Sequence, residues 1–257
     1  MRETFIATFL FLCLVAASLA SMLSYLKVPI QNRQNDTVEV VRMVASMFVV
    51  VTSLVLGLMI NAAKNSFQEI DDHVHAYATE LILLDRSLRK LGPEAINARQ
   101  PLVAYVQAMI DRKTPSESSV PDNQLAERLI DEIGAGLRQL KPVDADQGEL
   151  RQEARERLQK VVELRWTLLG EAQNTIPRPL IRMLGAWLVL VFALMGFRAP
   201  RNGVVIGTFV IAAALLAGSI YLILDMDSAF DGRIQVSTAP LERALAEMKE
   251  TAKPAVR

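Results

Sequence analysis

The sequence is poor in the residues that most enzymes and metalloproteins depend on. Its single cysteine, Cys13, excludes an intramolecular disulfide and a thiolate zinc site. Two histidines, His73 and His75, leave little for imidazole chemistry. They stand two apart on a helical pattern and so point about 200° from each other, which excludes a shared metal; Asp71 and His75 do share a face. There is no excess of either charge: 28 Lys and Arg balance 28 Asp and Glu. A nucleic-acid binder would carry a basic surplus, and an acidic disordered chain the opposite. Nucleophile-elbow, zinc-protease, P-loop and dinucleotide-binding motifs are missing, so no enzyme is expected. No alternating strand pattern is sustained, and there is no internal repeat.

Apolar residues are abundant at 51%, and they are gathered into runs rather than spread out. Thr4 to Leu26 holds no charge; Val41 to Ala63 holds only Arg42; Leu180 to Phe197 holds only Arg182; Gly203 to Leu224 holds none. Each is long enough to cross a hydrocarbon core of about 30 Å as a helix, the form in which one segment satisfies its own backbone hydrogen bonds. The boundaries carry helix signals. Asp36 and Glu39 fit a capping box. Pro177 and Pro179 precede the third run, and Asn202 can cap the fourth. The first run also fits a secretory signal peptide ending at Ser18-Leu19-Ala20, but its extension to Leu26 favours a retained helix.

The polar region between the second and third runs is helical in pattern. Phe67, Ile70, Val74, Tyr77, Leu81, Leu84, Leu88 and Leu91 follow a 3-4 spacing, the seam of a heptad. No break separates this seam from the second run, so one helix is expected from about residue 37 to 91, ended by Gly92-Pro93. Leu150, Ala154, Leu158, Val161, Leu164 and Leu168 form a matching stripe, expected to pack antiparallel on the first. Two shorter helices, about 94–112 and 122–140, fit between, with a loop at 114–121. The organisation expected is membrane helices 1 and 2 in residues 1–63, an extramembrane insert in 64–178, membrane helices 3 and 4 in 179–225, and a polar tail in 226–257. In the tail, Pro240 to Glu250 reads as an amphipathic helix with Leu241, Leu245 and Met248 on one face. It suits the membrane surface or the insert equally. Basic residues near the helix ends balance on the two sides, so the side that carries the insert is not fixed by charge.

Four features are candidates for function. Thr52, Ser53 and Asn61 are polar positions within the second run, with Gly57 among them and Lys64 at its end. None of the intramembrane polar residues is ionisable, which argues against a proton-coupled pump; hydroxyls and amides can still line a passive pore. Asp225, Asp227 and Asp231 close the fourth run, where carboxylates meet an unfavourable helix dipole. Their spacing is not that of an EF-hand; the candidates to compensate them are Arg182, Arg178, Lys64 or a bound cation, so the cluster is a candidate cation site, and an Arg182–Asp225 pair is expected. Gly203, Gly207, Ala214 and Gly218 make a small-residue face suited to close helix packing, within the chain by default and otherwise to another subunit or a pore.

Several segments resemble bacterial membrane proteins with a bestrophin-like domain: Thr52 to Lys64 (TSLVLGLMINAAK), Leu84 to Leu88 (LDRSL) with Gly92 to Ala95 (GPEA), Trp187 to Phe192 (WLVLVF) with Ala199 to Asn202 (APRN), and above all Leu222 to Gly232 (LILDMDSAFDG) with Val236 to Leu241 (VSTAPL). The resemblance covers about residues 35–248. It implies an all-α integral membrane protein with four transmembrane helices and an extramembrane helical insert, in a bacterial plasma membrane. Through bestrophins it also implies an oligomeric anion channel, with calcium as an effector. The aspartate spacing differs from the bestrophin cluster, so no calcium ligand is assigned. Phe48 stands alone where bestrophins place several pore phenylalanines. The function expected is an anion channel lined by the second helix at Thr52, Ser53, Gly57, Asn61 and Lys64. The alternative is a non-conducting scaffold or stress sensor whose insert holds a protein partner. Beyond the bilayer the expected partner is a second copy of the chain, with no nucleic acid.

Overall fold

The computed structural model describes residues 2–24, 35–111, 120–171, 176–197, 199–228 and 234–250. Among these residues eight α-helices follow in order: α1 (Arg2–Ser24), α2 (Asn35–Lys90), α3 (Ile96–Asp111), α4 (Val120–Gln139), α5 (Ala145–Glu171), α6 (Arg178–Gly196), α7 (Gly203–Asp227) and α8 (Ala239–Glu250). There is no strand among the described residues. Among the described residues, four helices are long and apolar enough to span a membrane: α1, α2, α6 and α7. The protein is an all-α integral membrane protein.

The helix ends follow local chemistry. Gly92, with φ 85°, terminates α2, and a single 3-10 turn, Pro93–Ala95, leads into α3. At the start of α5 the Asp144 carboxylate accepts the Gln147 N–H at 2.7 Å, while the Gln147 side chain accepts the Val143 N–H at 3.0 Å. This reciprocal arrangement satisfies donors that the first helical turn leaves open. Asn202 caps α7 as its position suggests, its Oδ1 accepting the Val205 N–H at 2.8 Å. The Asp36–Glu39 box and residues 114–119 of the expected 114–121 loop lie outside the residues described in detail, and the loop's last two positions, Val120 and Pro121, instead begin α4.

The chain divides into two compact units, residues 1–66 with 174–227, and residues 67–173 with 228–257. In the first, α1 packs against both α6 and α7. Its core joins Leu10 and Leu14 of α1, Met59 and Ala63 of α2, Leu184, Leu188 and Phe192 of α6, and Ala213, Ile220 and Ile223 of α7. The closest approach is at Gly196, where a Cβ would stand 2.5 Å from the carbonyl oxygen of Ser18. Ser21 donates to the Ala193 carbonyl at 2.5 Å beside it.

In the second unit the heptad seam of α2 forms the core, with Tyr77, Leu81, Leu84 and Leu88 buried alongside Leu102 and Tyr105 of α3, Ile133 and Leu137 of α4, and Ala154 and Val161 of α5. The α2 and α5 stripes run antiparallel. Phe67 and Ile70 cluster with Leu168, and Glu80 takes Arg157 at 3.1 Å. The tail helix α8 belongs here: Leu241, Ala244, Leu245 and Met248 are buried in the same core. Of the two surfaces its amphipathic pattern suited, the insert is the one it occupies.

Candidate functional site

On α2, Ser53, Gly57, Asn61 and Lys64 are all exposed on the protomer. Their spacing of 4, 4 and 3 puts them within an arc of about 80° on a helix of 3.6 residues per turn. The Ser53 hydroxyl donates to the Val49 carbonyl at 2.9 Å, and a side chain at Gly57 would meet nothing. Asn61 has no hydrogen-bond partner among the described residues, and its amide faces outward from a membrane-spanning helix. Thr52 stands apart from this stripe. It lies about 100° round the helix from Ser53, is buried, and donates to the Phe48 carbonyl at 2.6 Å. The polar face that the sequence grouped as one is therefore four residues, with Thr52 turned into the unit.

The end of α7 is buried. Asp225 and Asp227 are 2% and 7% exposed. The Tyr221 hydroxyl donates to Asp225 at 3.3 Å, and the Ile176 N–H donates to Asp227 at 3.1 Å. Asp227 thus fastens the end of α7 to the chain entering α6. Two residues apart on a helix, these carboxylates point to different neighbours. Calcium takes six to eight oxygens, and Asp225 and Asp227 both already accept hydrogen bonds from protein donors. Asp231 lies outside the described residues. Among the described residues there is no group of three His, Cys, Asp or Glu side chains placed to hold a metal.

The expected Arg182–Asp225 pair is not formed. Arg182 is exposed and makes no ion pair among the described residues, because α6 buries Leu184 and Leu188; a residue two before Leu184 necessarily lies on the opposite side of the helix. The small-residue face of α7 also looks outward. Nothing would meet a Cβ at Gly203, Gly207 or Gly218, and Ala214 is exposed; Ala213, Ala217 and Ile220 make the contacts within the unit. Sequence reading missed Gly196, the glycine that does allow a close approach, since its neighbour Ser18 is remote in the chain. The two imidazoles have separate carboxylates. His73 Nδ1 lies 2.9 Å from Glu171 of α5, and His75 lies 3.9 Å from Asp71.

A cavity of about 420 Å³ lies between α2, α6 and α7, lined among others by Thr52, Leu188, Phe192, Thr208, Phe209 and Ala212. Hydropathy gave no sign of it, because it is a gap between side chains from three helices.

No curated protein matches the sequence. Among solved structures, a mutated form of a bacterial bestrophin homologue from Klebsiella pneumoniae is similar, with a TM-score of 0.65 and 18% identity over 94% of this chain and 98% of that one. At that identity the likeness is one of fold. The model of the bestrophin-like domain matches residues 12–241, most of the chain. The chain belongs to the bestrophin-like domain family.

Proposed function

We propose that this protein is an ion channel of the bacterial plasma membrane, assembled from several copies, that passes anions along the face of α2 carrying Ser53, Gly57, Asn61 and Lys64. The observation that supports this reading most directly is the outward Asn61 amide. An amide left unpaired in hydrocarbon costs several kcal/mol on the order given by transfer to an apolar solvent, whereas water in a pore satisfies it. Gly57 keeps the same face narrow in profile, leaving room for a hydrated path. Lys64, exposed at the end of the stripe, supplies the positive charge that raises the local anion concentration. Family membership supports the same reading, since it is through bestrophins that the channel expectation arises.

The test is chloride and potassium flux through the purified full-length protein in liposomes. Chloride flux above protein-free vesicles is expected. Asn61→Ala should change its rate, and Lys64→Glu should lower chloride relative to potassium. Folded oligomer that passes neither ion would overturn the channel reading and favour a scaffold that works through the insert.

A further inference from the structure

We infer that the cavity between α2, α6 and α7 is a binding site for one hydrocarbon chain of a membrane lipid or fatty acid. Its volume of about 420 Å³ compares with roughly 150 Å³ for an apolar cavity that stays dry and accepts a benzene molecule. No charged side chain lines it among the described residues. The polar groups in its wall are the hydroxyls of Thr52, Ser53 and Thr208, and each has already given its hydrogen to its own helix, at 2.6, 2.9 and 2.9 Å to the carbonyls of Phe48, Val49 and Val204. The wall therefore offers an anion no side-chain donor, and water too few partners to hold it. A flexible apolar chain needs neither. Its source is set by position: all three helices span the membrane, and Met195, which lines the cavity, is itself exposed on α6. A chain leaving the bilayer reaches the cavity without crossing water. Ser53 belongs both to this wall and to the polar stripe of α2, so an occupant would press on the stripe from the side. The site itself does not depend on whether the stripe conducts.

The test uses full-length protein in phosphatidylcholine vesicles containing a trace of phosphatidylcholine with a diazirine midway along one chain. After illumination, adducts on Met195, Phe209 and Leu216 should exceed those on Leu58 and Leu215, which are more exposed but lie outside the cavity. Excess hexadecanoic acid should suppress the cavity adducts saturably and leave the others unchanged. Ala212→Phe, which fills the cavity, should abolish the cavity adducts selectively; the competition arm on unaltered protein decides the matter if that variant does not fold. Uniform labelling, or labelling insensitive to hexadecanoic acid, would overturn the proposal. So would protected cavity residues beside labelled Leu215, which would mean that a neighbouring subunit fills the space. None of these readouts involves ion flux, so the site and the channel reading stand or fall separately.

Discussion

Asp85 of α2 holds Arg99 of α3 at 2.7 Å, and the other arm of the Arg99 guanidinium donates at 2.9 Å to the carbonyl of Met248 in α8. Asp85 is 1% exposed. Its second oxygen faces Arg89 Nε at 3.0 Å, but that contact is poorly aligned for a hydrogen bond and acts through charge alone. One carboxylate thus fixes an arginine that in turn ties down the tail helix. Arg86 adds a more exposed bond to Glu247 at 2.6 Å.

Asp85→Ala should therefore destabilise the folded protein strongly. Removing one partner of a buried pair leaves the other uncompensated and costs about 3–5 kcal/mol. Arg86→Ala should cost little, because exposed ion pairs contribute roughly 0–1 kcal/mol. Thermal unfolding of the two variants in the same detergent compares them directly. Equal losses would show that Arg99 does not depend on Asp85.

The tail helix should also depend on packing. Met248 is 1% exposed within the core of the second unit. Met248→Ala should cost about 2–5 kcal/mol and expose α8 to trypsin at Arg243. Cleavage there no faster than in the unaltered protein would mean that α8 holds without this side chain.

Much of this architecture was legible in the sequence, and the limits have physical causes. The heptad seam ran unbroken out of an apolar run, so a single helix near 37–91 could be expected, and α2 is Asn35–Lys90. Asn202 was readable as a cap because capping is local. Facing was readable only where polar and apolar residues alternate with helical period. α7 is apolar all round, so its hydropathy carries no direction, and the glycines at 203, 207 and 218 could not be distinguished from Ala213 and Ala217 as the packed face. Charge and membrane side point Arg182 toward Asp225, but they say nothing of the rotation of α6. The stripe on α2 mixed Thr52 with residues about 100° away because both were simply polar. The cavity and the Ser18–Gly196 contact depend on long-range packing that no local pattern encodes.

Two glycines in the membrane unit should respond in opposite ways. Gly196→Ala places a methyl 2.5 Å from the Ser18 carbonyl oxygen, and backbone cannot yield as a side-chain tip can. Overpacking of this kind costs about 1–3 kcal/mol. Gly207→Ala meets nothing and should leave the protomer as stable as before. Thermal unfolding separates the two. If the outward face of α7 is a subunit contact, cross-linking will show Gly207→Ala losing oligomer at unchanged protomer stability.

The last contrast separates the polar stripe from mere polarity within α2. Thr52 and Ser53 are adjacent, and each donates to a carbonyl four residues back in its own helix. Valine at either position removes a similar hydrogen bond, worth about 0.5–1.5 kcal/mol, so their effects on stability should be alike. Their surroundings differ, since Thr52 is buried in the unit and Ser53 is exposed beside Gly57. If ions pass along the stripe, Ser53→Val puts an apolar, branched side chain into their path and should reduce chloride flux, whereas Thr52→Val should leave flux close to that of the unaltered protein. Equal reductions would mean that valine acts through the helix rather than at the pore, and a reduction from Thr52→Val alone would move the conducting path to the cavity side of α2.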